Sequence, residues 1–290
     1  MPSDHDPIDA SLKNPTVRVL VTAYNCADTI GQVISGIQLQ QLPEGWNLEI
    51  VVGYEVSDDD TLDVLNACAR RCRKAQGVDF SVVNSPGPVM LYGRRTGRAN
   101  LLNALATPGE STVTAFCDCD DVWVAADKLE RQIKALASAP SAVSCYTQVS
   151  PEQRQFDGHA NLFSQGNRNC FSTLLIRTDV LEDCLGTHAE LLKTTPVFDW
   201  VLAACCAIRG DILWLPDPTV RFGQQDSSSW HGRSESRRYA QSAISARHIA
   251  LKLRGAGPVN RLRAALLALR LYCLSNSFVR RAVRKALRSS

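Results

Sequence analysis

The sequence predicts an α/β fold with a mostly parallel central sheet flanked by helices, followed by a basic helical extension. Three observations predict it. Short, β-branched apolar runs such as VRVLVT (17–22) and LEIVV (48–52) read as strands buried on both faces. Segments with apolar residues at helical spacing, as at Ile30, Val33, Ile34 and Ile37, alternate with them. Charge is divided along the chain. Residues 231–290 hold 14 Lys/Arg and one acid, Glu235, whereas residues 1–230 hold 18 Lys/Arg and 28 acids. The net charge of +3 therefore hides an acidic body and a basic tail.

The elements follow in order. Residues 17–22 form the first strand, and Asp28 can cap the helix that runs on through Ile37. Residues 48–52 are the second strand. Residues 59–75 are a helix with Leu62, Leu65 and Cys68 on one face. A third strand covers 80–83, a helix 94–106, a strand ending on acids 112–117, and a helix 125–137. Beyond these the alternation weakens. Residues 170–176 and 211–215 read as strands and 199–209 as a helix. Ligands of such sheets bind beyond the carboxyl ends of the strands. The loops after Thr22, Val52 and Cys117 are therefore where chemistry is expected.

The organisation expected is a loose leader (1–15), one domain (16–230) and a basic amphipathic tail (231–290). The first fifteen residues are polar and lack the apolar core of a signal peptide. No uncharged apolar run reaches the ~20 residues that span a bilayer. The 11 cysteines are odd in number and include no Cys-x-x-Cys pair, so a disulfide framework is not expected. Most read as core residues in a reducing cytosol, with a structural zinc site as the alternative.

The acidic run Asp118-Cys119-Asp120-Asp121 carries the most chemistry. Alternate residues at a strand end point the same way, so Asp118 and Asp120 can face one site. Two hard carboxylates there suit a divalent cation, Mn²⁺ or Mg²⁺, that bridges to a phosphate. The plainer alternative is a solvated loop in which Asp121 or Asp127 caps the next helix.

VLVTAYN (19–25), FCDCDDVW (116–123) and DKLERQ (127–132), in that order, resemble the nucleotide-sugar-dependent family 2 glycosyltransferases of the GT-A fold. FSTLLIRTDVLEDCLG (171–186), FDWVL (198–202) and LPDPTVRFGQQDSSS (215–229) continue the resemblance. It implies transfer of a sugar from a nucleotide-diphospho-sugar to an acceptor hydroxyl, with inversion and metal assistance, in polysaccharide or glycan synthesis. Thr22 and Tyr24 would line the base pocket. Asp118 would hold the ribose, and Asp120 the metal with Asp118 beside it. Asp199 would be the general base. Arg94, Arg95 and Arg98 stand where an arginine could meet the diphosphate, and Asn100 matches a family asparagine.

The sequence departs from the family pattern in three places. Tyr54 and Glu55 replace an acidic pair after the second strand; Glu55 can still accept from a base N–H, or it is a surface residue. Phe198 replaces the acid before Asp199, whose alternative role is a helix cap. Phe222-Gly223-Gln224-Gln225 lacks the family's Arg and His; His231 is nearby, either as a substitute or as a surface or packing residue. These losses motivate a second reading, a non-catalytic nucleotide-sugar or glycan-binding protein. A sugar-nucleotide pyrophosphorylase would need a Gly-rich basic loop after the first strand, which TAYNCADT lacks.

In the tail, Leu262, Leu266, Leu269 and Cys273 share one helical face with arginines beside it. The tail (236–290) can lie on an anionic membrane surface, pack against the acidic body or a second chain, or bind nucleic acid through its backbone. The membrane is favoured, because the family's acceptors are often lipid-linked. The protein is then expected in the cytoplasm, peripheral on the inner face of the membrane.

Overall fold

The computed structural model describes residues 15–73, 77–85, 87, 89–91, 94–96, 98–107, 109–150, 161–167, 169–223 and 234–281. The chain divides into two compact units, one of residues 1–158, 169–182 and 209–224 and the other of 159–168, 183–208 and 225–290.

The first unit carries the sheet. In chain order it contains β1 (Thr16–Ala23), α1 (Ala27–Gln38), β2 (Asn47–Tyr54), α2 (Thr61–Cys72), β3 (Val78–Asn84), β4 (Val89–Leu91), β5 (Arg94–Thr96), α3 (Arg98–Leu105), β6 (Val113–Asp118), β7 (Val122–Trp123), α4 (Lys128–Ala137) and β8 (Ala142–Val149). A 3₁₀ turn (Phe171–Thr173), β9 (Leu174–Arg177) and β10 (Asp211–Arg221) complete it. Eight strands form one sheet in the order β3-β2-β1-β6-β9-β8-β10-β7, and β4 and β5 form a separate hairpin. β3, β2, β1 and β6 run parallel. β9 is antiparallel to β6 and β8.

Local chemistry explains the parallel half. Val17, Val19, Leu20 and Val21 are all buried, so β1 is covered on both faces. Arg18, in register with Glu49 of β2, pairs with it at 2.7 Å and donates to Thr107 O. Ile30, Val33, Ile34 and Ile37 bury one stripe of α1. Gly36 lets α1 approach closely, since a Cβ there would lie 2.7 Å from Trp123 O. Because β2 lies on one side of β1 and β6 on the other, the strand order reverses at β1, the switch point where ligands of open sheets sit.

Several local expectations are corrected. Residues 94–96 are a strand of the β4–β5 hairpin, and the helix is confined to Arg98–Leu105. Asp28 stands in the first turn of α1 and does not cap it; Cys26 holds the cap position. Of the expected strand 170–176 only the part from Leu174 is extended, after the 3₁₀ turn, and the strand runs on to Arg177. β10 runs to Arg221 through Pro216 and Pro218, with register shifts against β8 that accommodate them.

The second unit contains the later part of α5 (Thr178–Thr194), α6 (Phe198–Ala207), α7 (Glu235–Lys252) and α8 (Pro258–Ser275). α6 is apolar nearly all round and buried. α7 is capped by Ser234, whose hydroxyl accepts from Arg237 N. α7 and α8 pack as a helical hairpin through Ala243, Ala246, Ile249, Ala264 and Leu267. The connection turns on Gly255 (φ +85°) and Pro258 at the start of α8. Arg261 donates to Leu253 O at the end of α7 and to Ala256 O in the connection. Arg280 ties the far end, donating to Ser236 Oγ and pairing with Glu235 at 3.3 Å.

Candidate functional site

At the carboxyl edge of β1, β2 and β6 the loops are stitched to one another. Thr22 and Asp118 are register partners on β1 and β6, and Thr22 Oγ1 donates to Asp118 Oδ1 at 3.2 Å. Two residues expected in the donor pocket are thus brought together, with Thr22 orienting the Asp118 carboxylate. The loop after β1 holds the loop after β2. Asn25, at φ +45°, accepts from Asp58 N through Oδ1, and its own N–H donates to Ser57 Oγ. Ala27 N donates to Asp59 Oδ2 and Cys26 N to Thr61 Oγ1. Asn100 Nδ2 donates to Ala23 O from the start of α3.

Asn25, Ser57, Asp59 and Thr61 were missed as site-building residues. The signal available was the pair of polar loops at the ends of adjacent strands. Tyr24 is half-exposed beside them. Glu55 is 2 % exposed, which corrects the surface alternative for it. Its backbone N–H donates to Ala23 O. Tyr54 is buried, and its hydroxyl accepts from Ser57 N.

The acidic run folds into a turn in which the three acids separate by environment. Asp118 and Asp120 are half-exposed, whereas Asp121 is buried. Asp121 N donates to Asp118 O, and Thr29 of α1 donates from Oγ1 to Cys119 O at 2.7 Å. Ser172 joins two of the acids: its hydroxyl accepts from Asp118 N and donates to Asp121 Oδ2. Asp121 also accepts from Gly223 N at 2.8 Å and from the Cys170 thiol. Burial, then the charge of Asp118, then that of Asp120, push the Asp121 carboxyl up to about 8. Asp121 is thus a buried strut and caps no helix. Asp127 holds the cap position of α4 without a side-chain capping bond.

Gly223, a departure from the family pattern, has a steric role. A Cβ there would lie 2.2 Å from Asp120 O. Gly223→Ala is therefore expected to displace the acidic turn, costing about 1–3 kcal/mol of stability and at least tenfold in donor turnover. Thermal melts and a turnover assay check this, and unchanged values in both would remove Gly223 from the site.

The DKLERQ segment lies beneath this turn and is scaffold. Gln132 Nε2 donates to Cys145 O and Thr173 O, bridging β8 to the 3₁₀ turn. Lys128 donates to Gln132 Oε1 and stands 3.9 Å from the centroid of the Trp123 ring. Burial pushes the Lys128 amine down to about 7, from 10.5. Between those values the unfolded chain binds more proton, so this group's contribution to stability rises with pH. The Tm difference of Lys128→Met from wild type is accordingly expected to be more positive at about pH 6 than at about pH 10. Circular-dichroism melts at the two pH values check the sign.

Two carboxylates on a half-exposed turn, with hard oxygen donors, fit a divalent cation that completes its shell with phosphate and water. Among the described residues no group of three or more His, Cys, Asp or Glu forms a cage on its own. Arg94 and Arg98 lie on β5 and at the start of α3, but their side chains, like Gln225 and His231, are outside the described residues.

Asp199 belongs to the second unit. It stands in the first turn of α6, where a helix N-terminus favours negative charge, and Val197 rather than Asp199 holds the cap position. Asn167 Nδ2 donates to Asp199 Oδ2 at 3.2 Å. Trp200 anchors the same turn through Nε1 to Leu162 O, with Gly166 (φ +81°) against its ring.

This fold resembles solved structures of low sequence identity. A mannosyltransferase from Pyrobaculum calidifontis in complex with GDP-Man and Mn²⁺ matches with a TM-score of 0.64 at 18 % identity, over 99 % of this chain and 79 % of that one. S. aureus TarS in complex with UDP matches with a TM-score of 0.58 at 14 % identity, over 88 % of this chain and 70 % of that one. By sequence, an uncharacterized protein of Mycobacterium bovis is 22 % identical over 238 residues, which are 76 % of this chain and 62 % of that protein. The chain thus spans less than two thirds of that relative's length. The profile of glycosyl transferase family 2 matches residues 18–191. That match covers more than half of the chain and rests on a GT-A type sheet, so the chain belongs to glycosyl transferase family 2.

Proposed function

We infer that this protein transfers a sugar from a nucleotide-diphospho-sugar to the hydroxyl of a glycan or lipid-linked acceptor, with inversion and with help from Mn²⁺ or Mg²⁺. The observation that carries this reading is the half-exposed carboxylate pair Asp118 and Asp120, at the carboxyl end of β6 beside the switch point of the sheet. Structural neighbours hold GDP-Man with Mn²⁺ and UDP.

In this reading Thr22, Tyr24 and Glu55 line the base pocket, and Asp118 accepts from a ribose hydroxyl. Arg94 and Arg98 meet the diphosphate. Asp120, with Asp118, holds the cation, which when bound stabilises charge on the departing diphosphate. Asp199 takes the proton of the acceptor hydroxyl, whose oxygen bonds to the anomeric carbon as the carbon–oxygen bond to the diphosphate breaks. Holding donor and acceptor in line supplies proximity. The product glycan belongs to a polysaccharide or related surface polymer, and the basic segment 236–290 holds the enzyme against the inner face of an anionic membrane.

A thermal-shift screen of nucleotide-diphospho-sugars with Mn²⁺ tests the donor part. A Tm rise specific to one nucleotide, lost without metal, is the expected outcome. No rise with any donor at saturating concentration contradicts it. The second reading, a non-catalytic binding protein, is favoured by the missing Arg and His around Gly223; it predicts the Tm rise without turnover.

A further inference from the structure

α8 is apolar on two opposite sides. Ala264 and Leu267 are buried against the protein. Val259, Leu262, Leu266 and Leu269 are 59–61 % exposed, and Cys273 continues the same stripe. Their spacing alternates three and four residues, so they form one continuous row along the helix. Single exposed leucines need no explanation, but a row of this kind marks an interaction surface.

The charges beside the row select its occupant. Arg263 and Arg270 are exposed on one flank, and Arg261 on the other is committed to backbone carbonyls. No Asp or Glu occurs from Ser236 to Ser290. A pairing of two such helices would need opposite charges at the flanking positions. Self-pairing here would set arginine against arginine. A lipid surface with anionic headgroups accepts both features at once: acyl chains take the leucine row and phosphates the arginines. No helix among the described residues is long and apolar enough to cross a membrane, so α8 would lie in the plane of the interface.

We propose that the outward face of α8, centred on Leu262, Leu266 and Leu269, is a docking surface that inserts into the interface of an anionic membrane. This deepens the membrane part of the preceding reading, rests on that part, and is independent of the transfer chemistry.

The test is flotation of the full chain with phosphatidylcholine vesicles, with and without phosphatidylglycerol. Wild type is expected to float with the anionic vesicles and not with the neutral ones. Leu262→Gln/Leu266→Gln/Leu269→Gln is expected to lose at least tenfold in partitioning, with its circular-dichroism melt unchanged because the three side chains are exposed. Arg263→Gln/Arg270→Gln is expected to lose roughly 25-fold, at about fivefold per charge. An environment-sensitive dye on Cys273, the exposed cysteine among the described residues, should shift to the blue on binding and be quenched by spin-labelled lipid.

If the triple variant floats like wild type, the face is wrong although the tail still binds membrane. If wild type floats with neither vesicle, the membrane reading falls and this inference with it. If wild type sediments as a dimer that the triple variant dissolves, the row is a self-association surface and the proposal is overturned. Donor turnover with a soluble acceptor is read separately, and its loss bears only on the chemistry.

Discussion

Asp120→Asn is expected to lower donor turnover by at least about 10²-fold, because it removes one of two carboxylates assigned to the cation that offsets leaving-group charge. The fold should survive. The turn is held by Thr29 at its backbone, Cys119 O, and by the Gly223 N–H at the Asp121 carboxylate, and Asp120 itself is half-exposed. The variant should keep its melting temperature and lose the Mn²⁺-dependent part of donor binding. Thermal shifts with a nucleoside diphosphate, with and without Mn²⁺, separate the two effects. Full turnover in this variant would sink the metal assignment. Asp121→Asn, by contrast, should act mainly on stability, since Asp121 is a buried strut.

Asp199→Asn is the second large effect. A general base contributes about 10²–10⁴-fold, so kcat should fall by that factor while donor affinity stays constant. Asparagine keeps the shape and can still accept from Asn167 Nδ2, so the first turn of α6 should be undisturbed. Three readouts distinguish a base from a merely structural residue: an unchanged melt, an unchanged donor-induced Tm rise, and loss of the acidic limb of the pH–rate profile. A fall in donor affinity equal to the fall in turnover would count against the base.

In the parallel half of the sheet β1 and β2 are legible because they are buried on both faces and therefore written largely in valine, leucine and isoleucine. The other half is not. β8 (Ala142–Val149) is buried along its whole length yet includes Ser144, Thr147 and Gln148, so no apolar run marks it as a strand. A tertiary contact satisfies Thr147, whose hydroxyl bonds that of Thr219 at 2.6 Å, and no local pattern announces it. The hairpin residues Arg94, Arg95 and Thr96 carry no apolar alternation, so the helical phase of the residues that follow reads backwards over them.

At the site, the spacing of Asp118 and Asp120 was readable from strand geometry alone. The burial of Asp121 was not, because Ser172 and Gly223, its partners, lie 51 and 102 residues away. Gly223 shows the same limit from the other side. As a letter it is a departure from a family pattern; in space it is the residue that lets β10's end approach the acidic turn.

The central claim is that the acidic turn and Asp199 serve one inverting transfer. The most direct measurement is turnover of the donor identified by thermal shift, with the anomeric configuration of the product read by proton NMR. The account predicts Mn²⁺- or Mg²⁺-dependent transfer with inverted configuration, abolished in Asp199→Asn. Retained configuration, or tight donor binding without turnover under any acceptor, would contradict it.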